Sequence, residues 1–329
     1  MTGKRRFPPL FLVVFGVCMV SYSGPMVKGA LQAGANPASI AMLRMLSAGG
    51  ILALWGWVAS AAAPTRKAVG KRELPKRNTG PKALVGLAAL FLAGHYLAWI
   101  FSLTGVSTFA SVALVSTQPL FVALFGYLLF REMIPRRAIP GAALALLGAL
   151  LIALAAGGPA GGELEAIGPA GYENGLPAPL ASGSQGTPSP AVASGAALLG
   201  AALMAAHWLT ARQVRAFLPA RIYTPALYLG TGLILALSMP FLGGFRMPGS
   251  ALPYMAGLVL GSTLLGHALF SSVIGMVSPS VISFALLGEP LGAMLFAMLF
   301  FGEFPSPWVF AGGALILLGL CLYLARAQT

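Results

Sequence analysis

Apolar runs of about twenty residues, nearly free of charge, recur along almost the whole chain. A bilayer core about 30 Å thick asks for that length in each crossing helix. The runs predict helices near 7–27, 37–62, 83–103, 108–130 and 138–156, then near 192–214, 222–243, 251–272, 279–301 and 306–325. Only 8% of residues are charged, whereas a soluble domain carries about a quarter. No stretch is left for a folded soluble domain. The expected fold is all-α integral membrane, with ten transmembrane helices. Lys4-Arg5-Arg6 before the run Leu10–Val20 has the look of a signal peptide. The apolar stretch continues past Tyr22 toward Val27 with no Ala-x-Ala-like cleavage site, so it is read as the first membrane helix.

Residues 157–190 break the pattern, being rich in Gly, Pro and Ser and carrying Glu163, Glu165 and Glu173 without Lys or Arg. Such a composition cannot bury a core and is read as a flexible connector. The net charge of +13 would suggest nucleic acid in a soluble protein. Here the basic residues flank membrane ends instead. With the N-terminus inside, seventeen Lys and Arg fall in cytoplasmic segments, against Lys28 and Arg246 outside and Arg44 within a helix. Both termini are therefore expected in the cytoplasm and the acidic connector outside, in a cytoplasmic membrane. No nucleic-acid partner is expected; the lipid bilayer is. Cys18 and Cys321 lie in apolar runs far apart and form no zinc spacing or disulfide framework.

The two halves resemble each other. Gln118-Pro119 opens an apolar run ending at Phe130-Arg131-Glu132, and Glu289-Pro290 opens one ending at Phe301-Gly302-Glu303. Pro to Glu is thirteen residues in both; Gly141 and Gly312 follow nine later, Gly148 and Gly319 seven beyond those. Upstream, Gly94-His95 matches Gly266-His267, and the turns Thr104–Thr108 and Gly275–Ser280 correspond. The chain divides into a first five-helix repeat at 1–156, an extracytoplasmic connector at 157–190 and a second repeat at 191–329. Five crossings per half is an odd number, so the second copy enters the membrane inverted. Inverted repeats are a recurrent transporter design, since exchanging the conformations of similar halves turns one open side into the other.

Taken in this order and twice over, the Gln-Pro…Glu and Glu-Pro…Glu elements, each followed by a Gly-rich helix, resemble the EamA-type family of the drug/metabolite transporter superfamily. The resemblance covers the chain outside the connector. It implies export of amino acids, other small metabolites or drugs.

Polar groups at membrane depth are costly and so become functional candidates. Glu289 is the one carboxylate within a predicted span, beside a proline that frees a backbone carbonyl. It is a candidate proton site or partner for a substrate amine, or a residue that steadies the helix break. Gln118 holds the corresponding place and can donate and accept at once. His95 and His267 correspond on the third and eighth helices, as a proton relay with Glu289 or as interhelical hydrogen bonders. His207, Tyr22 and Trp99 are candidates for the same pathway, Trp99 by stacking on a cation or an aromatic. Arg44, about 10 Å deep from the outer end of its helix, snorkels to the interface, pairs with a helix terminus or meets a substrate carboxylate. Glu132 and Glu303 stand at helix ends, where helix-end bonding is the expected role. Gly257 with Gly261, and Gly141 with Ala145, provide faces for close helix packing.

The expected function is secondary transport, an exporter of small metabolites such as amino acids working by alternating access, with a proton as candidate co-substrate. Efflux of drugs or lipophilic cations is the alternative within transport. A membrane-embedded enzyme is the alternative from another class. It finds no Asp in the chain, no His-Glu-x-x-His and no Gly-x-Ser-x-Gly. No Gly-x-x-x-x-Gly-Lys-Ser/Thr element binds nucleotide, and no cofactor or metal is expected. One chain of this design suffices for a pathway, so a monomer is expected.

Overall fold

A computed structural model describes residues 9–62, 80–131, 136–157, 172–173, 176–177, 188–267, 269 and 288–327. The connector lies mostly outside these residues; within it, Tyr172–Glu173 and Leu176–Pro177 pair as a two-residue antiparallel ladder. All else of regular structure is helical. In chain order come α1 (Pro9–Ser21), α2 (Ser23–Gln32), α3 (Pro37–Ala62), α4 (Pro81–Ser102), α5 (Thr108–Val115), α6 (Gln118–Phe130) and α7 (Ile139–Gly157). They are followed by α8 (Pro190–Arg215), α9 (Ala220–Ser238), α10 (Leu252–Gly257), a π-helical segment (Leu258–His267), α11 (Glu289–Phe301) and α12 (Pro307–Ala327).

Helix starts follow capping chemistry. Ser107 accepts from the Ala110 N–H at 3.2 Å, Ser189 from Val192 at 3.4 Å and Ser306 from Val309 at 3.3 Å; Pro190 and Pro307 fill the first helical position, where no N–H is needed. Prolines also set the breaks. Pro25 cannot donate to the carbonyl of Ser21, and α1 gives way to α2 at Tyr22; Pro119 leaves Val115, where α5 ends. α6 and α11 are both thirteen residues long and both end on a left-handed residue, Arg131 (φ 58°) and Gly302 (φ 61°).

Seven helices among the described residues are long and apolar enough to cross a bilayer, and Glu289–Phe301 and Pro307–Tyr323 are shorter apolar helices. Leucines dominate the outer surface, among them Leu147, Leu150 and Leu154 of α7 and Leu233 and Leu237 of α9. That is the surface of a protein solvated by lipid, in which helices satisfy their own backbone. The first crossing corrects the sequence reading: it runs to Gln32 rather than 27 and carries Lys28 inside α2, buried, not in an outer loop. The start expected for the ninth helix, 279–288, has only Gly288 among the described residues.

Packing joins helices from distant parts of the chain: α4 against α8, α7 against α12, α3 against α9, and α1 against the π segment. Glycines permit the closest approaches. Along the α7–α12 seam a Cβ on Gly148 would meet the Ile316 nitrogen at 2.7 Å, and one on Gly312 would meet the Gly148 carbonyl at 2.8 Å. With no room for side chains, the two backbones touch.

Candidate functional site

Arg44 is 1% exposed, the largest fully buried side chain among the described residues. It stands seven residues into α3, about 10 Å along the helix, so it does not snorkel to the surface. A guanidinium removed from water needs an acceptor for each N–H. Three hydroxyls supply part of this need. Its Nε donates to Thr263 Oγ1 at 2.9 Å, Nη1 to Ser23 Oγ at 3.2 Å and Nη2 to Ser262 Oγ at 3.3 Å. The charge lies over the Tyr96 and Trp99 rings of α4, at 4.8 and 5.9 Å from their centroids.

Local backbone explains why these hydroxyls converge. Ser262 and Thr263 are sequence neighbours that an ordinary α-helix would splay around its axis. The wider turn of the π segment lets both reach one guanidinium, and π-helical turns gather at functional sites. Thr263 both accepts from Arg44 and donates to the Leu258 carbonyl at 2.9 Å. Ser23 follows the α1–α2 break directly.

A guanidinium carries more N–H donors than three hydroxyls occupy. Among the described residues no carboxylate pairs with Arg44; Glu303 pairs instead with Lys28. Glu289, half-buried in the first turn of α11, lies within electrostatic range of Arg44 without bridging to it. The site therefore holds a buried positive group and a separate carboxylate, with aromatic faces beside the former.

Of the residues singled out in the sequence, Arg44, Trp99 and His95 come together: the His95 ring stacks on Trp99 at 6.1 Å and lies 5.1 Å from Tyr96. His95 also works between helices, its Nδ1–H donating to the Gly200 carbonyl of α8 at 2.9 Å. His207 mirrors it, donating from Nδ1 to Ala88 of α4 at 3.0 Å, and does not touch Arg44. Trp208 beside it is 50% exposed and faces outward. Tyr22 packs edge-on against Phe296 and Phe300 of α11, with its hydroxyl 3.3 Å from where a Gly257 Cβ would sit. Gln118 is half-buried in the first turn of α6, and no described hydrogen bond ties it to Arg44. The side chain of His267 and all of Glu132 lie outside the described residues.

Sequence reasoning missed Ser23, Ser262, Thr263 and Tyr96. Isolated hydroxyls in apolar helices are common and usually bond to their own backbone. The available signal was the adjacent pair Ser262-Thr263 in the middle of an apolar run.

Residues 7–154 match the model of the EamA-like transporter family. No curated protein matches the chain by sequence. Among solved structures 14 chains match; one, a crystal structure described only as that of a protein, is 18% identical over 98% of this chain and 99% of that chain, with a TM-score of 0.58. At that identity the likeness speaks for the fold alone.

Proposed function

We propose that this chain, whose residues 7–154 match the EamA-like transporter family, is a secondary transporter exporting small zwitterionic metabolites such as amino acids across the cytoplasmic membrane. The observation that carries this reading is the separation of Arg44 from Glu289. A buried cation without a counter-ion is costly, and a carboxylate ligand would relieve it with charge-assisted hydrogen bonds. An ammonium on the same ligand would meet Glu289. A zwitterion supplies both groups; a lipophilic cation supplies one, and the Tyr96 and Trp99 faces that would stack on it are already taken by Arg44.

Alternating access between two inverted five-helix repeats is part of the proposal. Several packing relations support it. Exchanging the halves carries the α4–α8 pair onto the π segment with α1, and returns α3–α9 and α7–α12 to themselves. Gly94 of α4 sits against Leu203 of α8, at 3.1 Å from an added Cβ; its sequence counterpart Gly266 sits against Val20 of α1, at 2.8 Å. The basic residues at helix ends, Arg131, Arg215 and Arg326 among them, accord with both termini in the cytoplasm. Both charged groups lie within one chain, which supports a monomer as the transporting unit.

Counterflow in proteoliposomes tests the reading. Amino acids are expected to exchange saturably and to be competed by one another. Competition by lipophilic cations with none by amino acids would favour drug efflux instead.

A further inference from the structure

Lys28 and Glu303 form a buried ion pair, Nζ to Oε2 at 3.0 Å, with side chains 7% and 15% exposed. Glu303 is doubly engaged. Its Oε2 also accepts from Thr108 Oγ1 at 2.9 Å, and its Oε1 accepts from the Thr108 backbone N–H, the first of α5. The cluster thus joins α2, the start of α5 and the turn after α11 at one end of the bundle. Gly24 lets α5 come close enough, since a Cβ there would lie 2.8 Å from Thr108 Cγ2.

Two features set this cluster apart from a simple staple. Burying an ion pair costs desolvation that its attraction repays only in part, so it is weak evidence for a stability role. Moreover, its members sit on half-helices: α2 is separated from α1 at Tyr22 and α5 from α6 at Ser116-Thr117, each beside a proline that removes a backbone bond. Such short segments can tilt without dragging the rest of their crossing. Lys28 lies five residues beyond Ser23 on α2, about 7.5 Å farther along the helix axis than the hydroxyl that holds Arg44.

We propose that Lys28, Glu303 and Thr108 are a latch that closes this end of the bundle over Arg44, and that its parting opens the path to that side. This rests on the transporter reading given above. α2 and α5 swing as half-helices when the carboxylate releases them, while the α7–α12 seam stays packed.

The test is accessibility rather than flux. Cys18 and Cys321 are replaced by Ala and a reporter is placed by Ser23→Cys. A membrane-impermeant maleimide is then offered from the Lys28 side of oriented vesicles. Glu303→Gln keeps an acceptor for the Thr108 N–H and removes only the charge, and Lys28→Met removes the partner. Each is expected to raise the labelling rate about tenfold, and the double variant to label no faster than either single one, as one latch requires. Thr108→Val, which keeps both charges and the backbone bond, is the milder lesion should a charge variant fail to fold, and a smaller rise is expected. Unchanged labelling in the folded variants, or additive rises in the double, would overturn the latch. Because labelling needs no substrate, absent flux in the protein with Ser23 intact, beside raised labelling, would overturn the transport reading and leave the latch standing. Intact flux without raised labelling would do the reverse.

Discussion

Arg44 Nε and Thr263 Oγ1 lie 2.9 Å apart across a sequence separation of 219 residues. That bond ties α3 to the π segment and fixes the plane of a guanidinium that Ser23 and Ser262 hold from the other nitrogens. The proposed substrate carboxylate approaches the remaining N–H groups, so the orientation of this plane is what the site depends on.

Thr263→Val keeps the shape of the side chain and removes the acceptor from Nε. A buried donor left unpaired costs about 1–3 kcal/mol. We expect substrate half-saturation to rise about tenfold or more while the protein still elutes as a single folded species. Arg44→Lys should lose more, because an ammonium cannot reach three divergent hydroxyls and a ligand together. Half-saturation in counterflow checks both, and unaltered values in either variant would remove Arg44 from the site.

His95 and His207 bond to backbone carbonyls in opposite directions across the α4–α8 contact. A carbonyl can only accept, so Nδ1 carries the proton in each ring. His95→Phe and His207→Phe each remove an interhelical hydrogen bond from a carbonyl that keeps its own helical one, and should each lower stability by about 0.5–1.5 kcal/mol. Thermal unfolding in detergent reads this. Folded His207→Gln is expected to keep the pH profile of the parent, and a shifted profile would place His207 on a proton path.

The α7–α12 seam makes a sharper packing prediction. Gly148→Val places a branched side chain against the Ile316 nitrogen, and overpacking of this kind costs about 1–3 kcal/mol or more. Gly86 of α4 is the control, since a Cβ there meets nothing within 4 Å. Gly86→Ala should be neutral or gain up to about 1 kcal/mol from helix propensity. Equal effects at the two positions would contradict the seam.

Much of the architecture was legible because lipid imposes a simple length rule and because the Pro-to-Glu spacing recurs. The helix starts at Pro81 and Pro190 fall two residues from where hydropathy alone placed them, since proline is apolar enough to blur an edge while its geometry marks it. Lys28 was misread because charge alone suggests a loop. Its burial depends on Glu303, 275 positions away in sequence, and no local pattern announces that. Arg44 could be recognised as costly, whereas its partners could not be named: Ser262 and Thr263 face it together through a π-helical turn, which has no clear signature in an apolar run.

The most direct measurement is substrate-dependent flux through the purified protein in proteoliposomes, comparing the parent with Arg44→Met and Glu289→Gln. Saturable flux of a zwitterionic metabolite is expected in the parent. Arg44→Met should abolish it for every carboxylate substrate, and Glu289→Gln should weaken binding of the amine-bearing ones. Full flux of the same zwitterion in both folded variants would contradict a site built on Arg44 and Glu289.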